Sequence, residues 1–232
     1  MKYLYILVLL FSITIPFIFS FHSKLNFYRQ FRTALFSIVT VAFPFVLWDM
    51  HFTKKMVWGF NSSYFLGISV NNLPLEEVLF FICIPFCCLF TYHSLNLIRK
   101  RNSGTRLSVL LSILLGSILC IIGLFYFQRS YTFWSFTIAG LSLIILGIKR
   151  PLYITNFWRA YLMLLIPFFI VNGILTGTGP AHPVVWYNDS ENMGIRMLTI
   201  PVEDLAYGMT LILWNIVVFE MFAKGQRVKF TS

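Results

Sequence analysis

Two short stretches gather half of the eight acidic side chains in this sequence. Residues 71–81 read NNLPLEEVLFF and residues 198–208 read LTIPVEDLAYG. In each, a proline precedes two acids, Glu76–Glu77 and Glu203–Asp204, and an apolar run follows. Carboxyl groups suit proton transfer: one acid hands a proton to a carbon, and one carboxylate removes another. Equivalent carboxylates meeting in a dry pocket repel, so one keeps its proton and the pair becomes an acid beside a base. Neighbours on a helix point about 100° apart, so both members of one pair cannot face one pocket squarely. Proline followed by acids is also an ordinary way to open a helix. Two points favour chemistry. A charged Asp at the centre of a membrane span costs about 2.5–3.5 kcal/mol, and acids in spans face a cavity or a partner. The motif also occurs twice.

The elements that position these acids follow from composition. The 232 residues are 58% hydrophobic and only 11% charged, against about 25% charged in soluble domains. Too few charges remain to build a wetted surface, so the chain reads as an all-α polytopic membrane protein. Seven apolar runs fit the need for roughly 20 residues per span: 3–21, 33–48, 75–97, 107–127, 132–148, 157–175 and 202–222. The first run resembles a signal peptide but lacks a small-x-small cleavage site, and is read as a retained span. The net charge of +10 lies in short loops, which is a topology signal and excludes a nucleic-acid partner. Thirteen Lys and Arg, among them Arg32, Arg99, Lys100, Arg101, Lys149, Arg159 and Arg227, fall on one side. Lys2, Lys54, Lys55, Arg129 and Arg196 fall on the other. The positive-inside rule then puts the N-terminus outside a cell membrane, the C-terminus in the cytoplasm, and both acidic pairs at the outer ends of their spans.

A gapless offset of 127 residues relates the two halves. Besides the acids, it aligns Pro74 with Pro201, Gly67 with Gly194, Asn61 with Asn188, Phe60 with Tyr187, Arg32 with Arg159 and Lys100 with Arg227. Three spans map onto three and one is left over. An odd linker span restores direction, so the repeats run parallel and bring both acidic pairs to one depth. The expected division is 1–100 for the first three-helix repeat, 101–128 for the linker helix and 129–232 for the second repeat.

Other residues leave two readings open. Asp49 and Asn172 lie near the same ends of their spans; each either lines the pocket or satisfies loop backbone. Glu220 and His93 fall about 25 Å along their helices from the motifs and are read as interfacial. The aromatics Trp58, Phe80, Phe81, Trp186 and Tyr207 either shield a carbocation or belong to an interfacial belt. The four cysteines, Cys83, Cys87, Cys88 and Cys120, lie inside apolar runs without metal-ligand spacing, and no metal site is expected.

PLEEVLFF and PVEDLAY in tandem three-span repeats resemble the carotenoid lycopene cyclase domain family, in its fused form, over nearly the whole chain. The resemblance implies an enzyme, an intramolecular lyase or isomerase, that closes the linear ends of lycopene into β-rings. It maps the family's acidic motif onto Glu76, Glu77, Glu203 and Asp204 as catalytic residues. It implies lycopene and other linear carotenoids as substrates within the lipid bilayer, and admits other carotenoid enzymes as partners. The flavin-dependent class of lycopene cyclase has a dinucleotide-binding fold, whereas GTGPAHP at 177–183 lacks the third glycine of that fingerprint; no flavin or nicotinamide cofactor is expected. The alternative reading is a small parallel-repeat transporter, but no proline here is followed by Gln as in small sugar transporters. A retinal protein would place a Lys inside the last span, and Lys224 follows its end. A structural subunit leaves the duplicated acids without a purpose.

Overall fold

The computed structural model describes residues 2–98 and 106–229, with side chains as far as Ala223. The expected boundary at 100 and 101, and Arg99, Lys100 and Arg101 of the charge count, lie outside the described residues, as do the side chains of Lys224, Arg227 and Lys229. Among the described residues seven α-helices form: α1 (Leu4–Phe19), α2 (Phe31–Lys54), α3 (Leu75–Ile98), α4 (Arg106–Phe125), α5 (Ser130–Lys149), α6 (Ile154–Thr176) and α7 (Val202–Lys229). A helix satisfies its own backbone, which is why apolar runs without water take this form. Six are long and apolar enough to cross a membrane. The first has 16 residues, about 24 Å at 1.5 Å per residue. Exposed side chains such as Phe11, Phe43, Ile121 and Ile166 form the apolar outer belt that lipid covers.

The sequence pattern ends the second helix at Trp48, but α2 continues to Lys54. Its polar last turn is held by tertiary packing: Phe52 is buried against Val57, Trp58 and Tyr131. Each long link carries three short strands. β1 (Trp58–Phe60) pairs with β4 (Val185–Tyr187), β2 (Ser69–Val70) with β3 (Leu73–Pro74), and β5 (Arg196–Met197) with β6 (Ile200–Pro201), all antiparallel. The two hairpins obey the 127 offset residue for residue, and each ends in the motif proline immediately before its helix. Their two-residue turns place Asn71 and Leu198 in the left-handed region, at φ 57 and 60. Asn tolerates this conformation; a leucine there is strained.

The β1–β4 ribbon joins the repeats. Trp58 pairs with Tyr187, Gly59 with Trp186 and Phe60 with Val185. Gly59 thus faces its own repeat equivalent, so the pseudo-two-fold axis passes through this pair. The indole of Trp186 occupies the place a Cβ on Gly59 would take.

Both repeats use the same internal pairing, α1 along α3 and α5 along α7, while α2 crosses to α7 and α6 to α3. Ser37 Oγ donates to the Asn215 carbonyl at 2.7 Å, tying α2 to α7. The leftover helix α4 lies along α5, with Gly116, Gly123, Gly140 and Gly147 at the contact. Small residues let helix backbones approach within a membrane, where close packing replaces the hydrophobic effect as the main attraction. A Cβ on Gly140 would stand 2.6 Å from the Gly116 carbonyl oxygen and 2.5 Å from Cys120 Sγ. We expect Gly140→Leu to force α4 from α5 and destabilise the protein by about 1–3 kcal/mol. Leu198→Gly, relieving the left-handed strain, should stabilise it by about 1 kcal/mol. Thermal unfolding of the purified variants in detergent reads both signs.

Candidate functional site

Both motifs fold alike. The hairpin ends at proline, the helix starts at the next residue, and the two acids fall in its first turn. The angle between neighbouring side chains then separates their roles. Glu76 Oε1 accepts the backbone N–H of Leu66 at 2.7 Å, and Glu203 Oε1 accepts that of Met193 at 2.7 Å. These are the same bond, 127 residues apart, and each clamps the loop ahead of its own hairpin. Glu203 also accepts from Thr132 Oγ1 at 2.6 Å. Both glutamates are sealed at 0% exposure. Glu77 and Asp204 keep 9% and 7%, and both line a cavity of about 710 Å³.

That cavity lies among α1, α3, α6 and α7, and the β1–β4 ribbon covers the end nearest the acids. Its walls are mostly aliphatic and aromatic. The polar groups concentrate at the ribbon end: Asp49, Glu77 and Asp204, with Tyr5, Tyr131, Tyr187 and Tyr207. The Tyr5 hydroxyl donates to Glu77. Tyr131 donates to Asp204 Oδ1, and Tyr187 to Asp204 Oδ2 at 3.0 Å. Asp49 Oδ1 accepts from the Trp58 indole and from Thr53 Oγ1 at 3.4 Å. The Tyr207 ring centres a cluster with Trp48 at 5.0 Å, Phe45 at 5.1 Å and Trp58 at 6.2 Å between centroids. Three wall residues, Phe11 and Ile15 on α1 and Ile170 on α6, are also 76%, 65% and 59% exposed on the apolar belt. The cavity therefore opens sideways between α1 and α6, at bilayer depth.

The structure brings together Glu77 and Asp204 and places Glu76 and Glu203 behind them. Of the residues with two readings, Asp49 and Asn172 both line the cavity. Trp58, Phe80 and Tyr207 do as well; Phe81 packs behind Tyr207 at 6.5 Å. Glu220 is not interfacial. It is 6% exposed and accepts the Tyr92 hydroxyl at 2.6 Å, because α7 turns it into the bundle rather than toward the membrane surface. His93 meets the Leu25 carbonyl at 2.9 Å. Cys87 and Cys88 are on the cavity wall. Among the described residues no group of three His, Cys, Asp or Glu is placed to hold a metal ion.

Sequence reasoning missed the phenols. At the 127 offset each of Tyr5, Tyr131 and Tyr187 meets a residue that is not a phenol: Tyr5 aligns with Thr132, Leu4 with Tyr131, and Phe60 with Tyr187. Phenols present in one copy alone were the available signal.

A bundle of apolar helices thus holds a mostly apolar cavity, open toward the exposed belt, with carboxyls and phenols gathered at one end. A family model described as lycopene cyclase matches residues 2–95 and 128–222, one segment in each repeat, and the chain belongs to that family. It is accordingly a carotenoid cyclase. Comparison with curated proteins and with solved structures gives no match.

Tyr187, in the ribbon, has its phenol held well above the usual value, first by removal from water, then by the charge and hydrogen bond of Asp204. A raised folded-state value adds stability that is full below the ordinary phenol pKa of about 10 and is lost as pH climbs past it. The thermal midpoint should fall above about pH 10, and fall less in Tyr187→Phe; equal alkaline limbs would contradict this linkage.

Proposed function

We propose that the chain is a lycopene β-cyclase that closes the linear ends of lycopene to γ- and β-carotene without redox chemistry, as an intramolecular lyase or isomerase. What carries the reading is the placement of Glu77 and Asp204, each bonded by phenols, at the closed end of an apolar cavity that opens to lipid. A hydrocarbon enters such a cavity from the bilayer, and its end meets the carboxyls and phenols at the ribbon end. A proton added to the terminal double bond leaves a tertiary cation. The next double bond attacks it and closes a six-membered ring. Loss of a ring proton to a carboxylate restores neutrality. Protons in and out balance. The faces of Tyr207, Trp58 and Phe80 stabilise the passing cation, at about 0.5–2 kcal/mol for each well-placed ring.

Of the four motif acids, Glu77 and Asp204 line the cavity and are assigned to the reaction. Glu76 and Glu203 support it by fixing the loops from which the ribbon and hairpins are built. The division into 1–100, 101–128 and 129–232, and an N-terminus outside with the acidic end at the outer face of the cell membrane, complete the proposal. The lysine and arginine asymmetry supports that orientation.

In a bacterial host that accumulates lycopene, the parent should convert the pigment to γ- or β-carotene, read by chromatography. Glu77→Gln and Asp204→Asn should lower conversion by about 100-fold or more at matched membrane levels. Unchanged lycopene in cells with folded, inserted parent would defeat the cyclase reading, and uptake without pigment change would point to transport.

A further inference from the structure

The cavity holds a third carboxylate that belongs to neither acidic pair. Asp49 comes from α2, and its counterpart at the 127 offset is Thr176, so the fold supplies this acid on one side of the pseudo-two-fold axis only. Its side chain is 1% exposed and lies on the cavity wall. One oxygen is occupied: Oδ1 accepts from Trp58 and Thr53. The other, Oδ2, is buried with no hydrogen-bond partner, and so is the hydroxyl of Tyr207 in the same cavity. An orphan carboxyl oxygen costs about 1–3 kcal/mol or more when nothing answers it. Such groups call for a specific explanation.

Asp204 and Asp49 therefore differ in kind. Asp204 receives a phenol on each oxygen. That arrangement suits a carboxylate, which has acceptors only. Asp49 has an indole donor on one oxygen and no hydrogen-bond partner at the other. That suits a carboxylic acid, whose carbonyl oxygen accepts while its hydroxyl donates. No described side chain accepts that hydroxyl proton, so its acceptor is whatever fills the cavity. The π electrons of a terminal double bond are such an acceptor.

Resting on the cyclase reading, we infer that Asp49 is a catalytic residue, the acid that protonates the carotenoid end through Oδ2, and that Asp204 is the base that ends the reaction. The Asp49 O–H bond breaks as a C–H bond forms from the terminal π pair. The next π pair becomes the ring C–C bond. A ring C–H bond then breaks, its electrons become the ring double bond, and its proton passes to Asp204. Between turnovers Asp204 gives up its proton to solvent and Asp49 takes one from solvent, so the added hydrogen is a buffer hydrogen and nothing is oxidised or reduced.

The test uses full-length protein in liposomes loaded with lycopene, in deuterated buffer, with pigments analysed by chromatography and mass spectrometry. The parent should yield cyclised pigment carrying deuterium. Asp49→Asn keeps an acceptor for Trp58 and should fold with the parental thermal midpoint. It should lose both cyclisation and labelling by about 100-fold or more. Asp204→Asn should still let deuterium into recovered lycopene, by reversible protonation, while finished rings fall by a similar factor. Should the amide variant not fold, Asp49→Glu serves in its place, displacing the acid by one methylene, and at least tenfold slower labelling is expected. Parental labelling in folded Asp49→Asn or Asp49→Glu would overturn the assignment, as would loss of labelling confined to Asp204→Asn. A folded parent that neither labels nor cyclises lycopene would remove the cyclase reading and this inference with it.

Discussion

Five buried carboxyl groups at one end of an apolar bundle set the terms for the rest of the structure. Each costs free energy to bury, on the order of several kcal/mol for a bare charge after relaxation. The fold answers every one with a donor: two backbone amides for Glu76 and Glu203, a phenol for Glu77, two phenols for Asp204, an indole for Asp49. A hydrogen bond to a charged group contributes about 1.5–3 kcal/mol, so the two on Asp204 offset a cost of the size of an acid's insertion into a span. The donors come from α1, α5, the ribbon and the loops. Satisfying the acids therefore fixes where those elements sit. A membrane helix pair has little other means of specifying register at its ends.

The duplication supplies that arrangement economically and then departs from it. Where the copies must match, they do so to the residue: the hairpins, the left-handed turn positions, the proline, the clamp from the first acid to the loop. Around the cavity the copies diverge. Tyr5 meets Glu77, but the residue at its equivalent position, Thr132, meets Glu203 instead, and Asp204 takes its phenols from Tyr131 and Tyr187. The Gly59–Trp186 pair on the axis is itself unequal. One copy gives up its side chain so that the other's indole can lie across it. A symmetric frame thus carries an asymmetric site.

Much of this was legible before any coordinates. Long runs without charge leave a helix as the only backbone solution, and a gapless offset anchored on Pro, Gly, Asn and acids reports a duplication directly. The 100° step between neighbours said that the two acids of each motif would part, but not which would face inward; that depends on the clamp to residues 66 and 193, which no pattern announces. The phenols were hidden by abundance. With 19% aromatics, no single tyrosine stands out until its hydroxyl is seen against a carboxylate. The end of α2 was misjudged because its last turn is polar and is kept helical by Phe52 packing on the ribbon. Glu220 was misjudged because distance from the motifs says nothing about which way a helix face is turned.

The cavity has its mouth between α1 and α6, and the pseudo-equivalent seam contributes only Asp49 and Tyr131 to its lining. A long molecule with two identical ends can therefore offer one end at a time. To have the second end processed it must back out into the bilayer, turn, and thread in again, in competition with every unprocessed molecule nearby. On the proposed cyclase reading, the proportion of singly to doubly closed product then follows supply: abundant starting material crowds out the half-finished one, and scarcity lets it return. A pigment mixture would be tuned upstream, by how fast the polyene arrives, with no change in the protein.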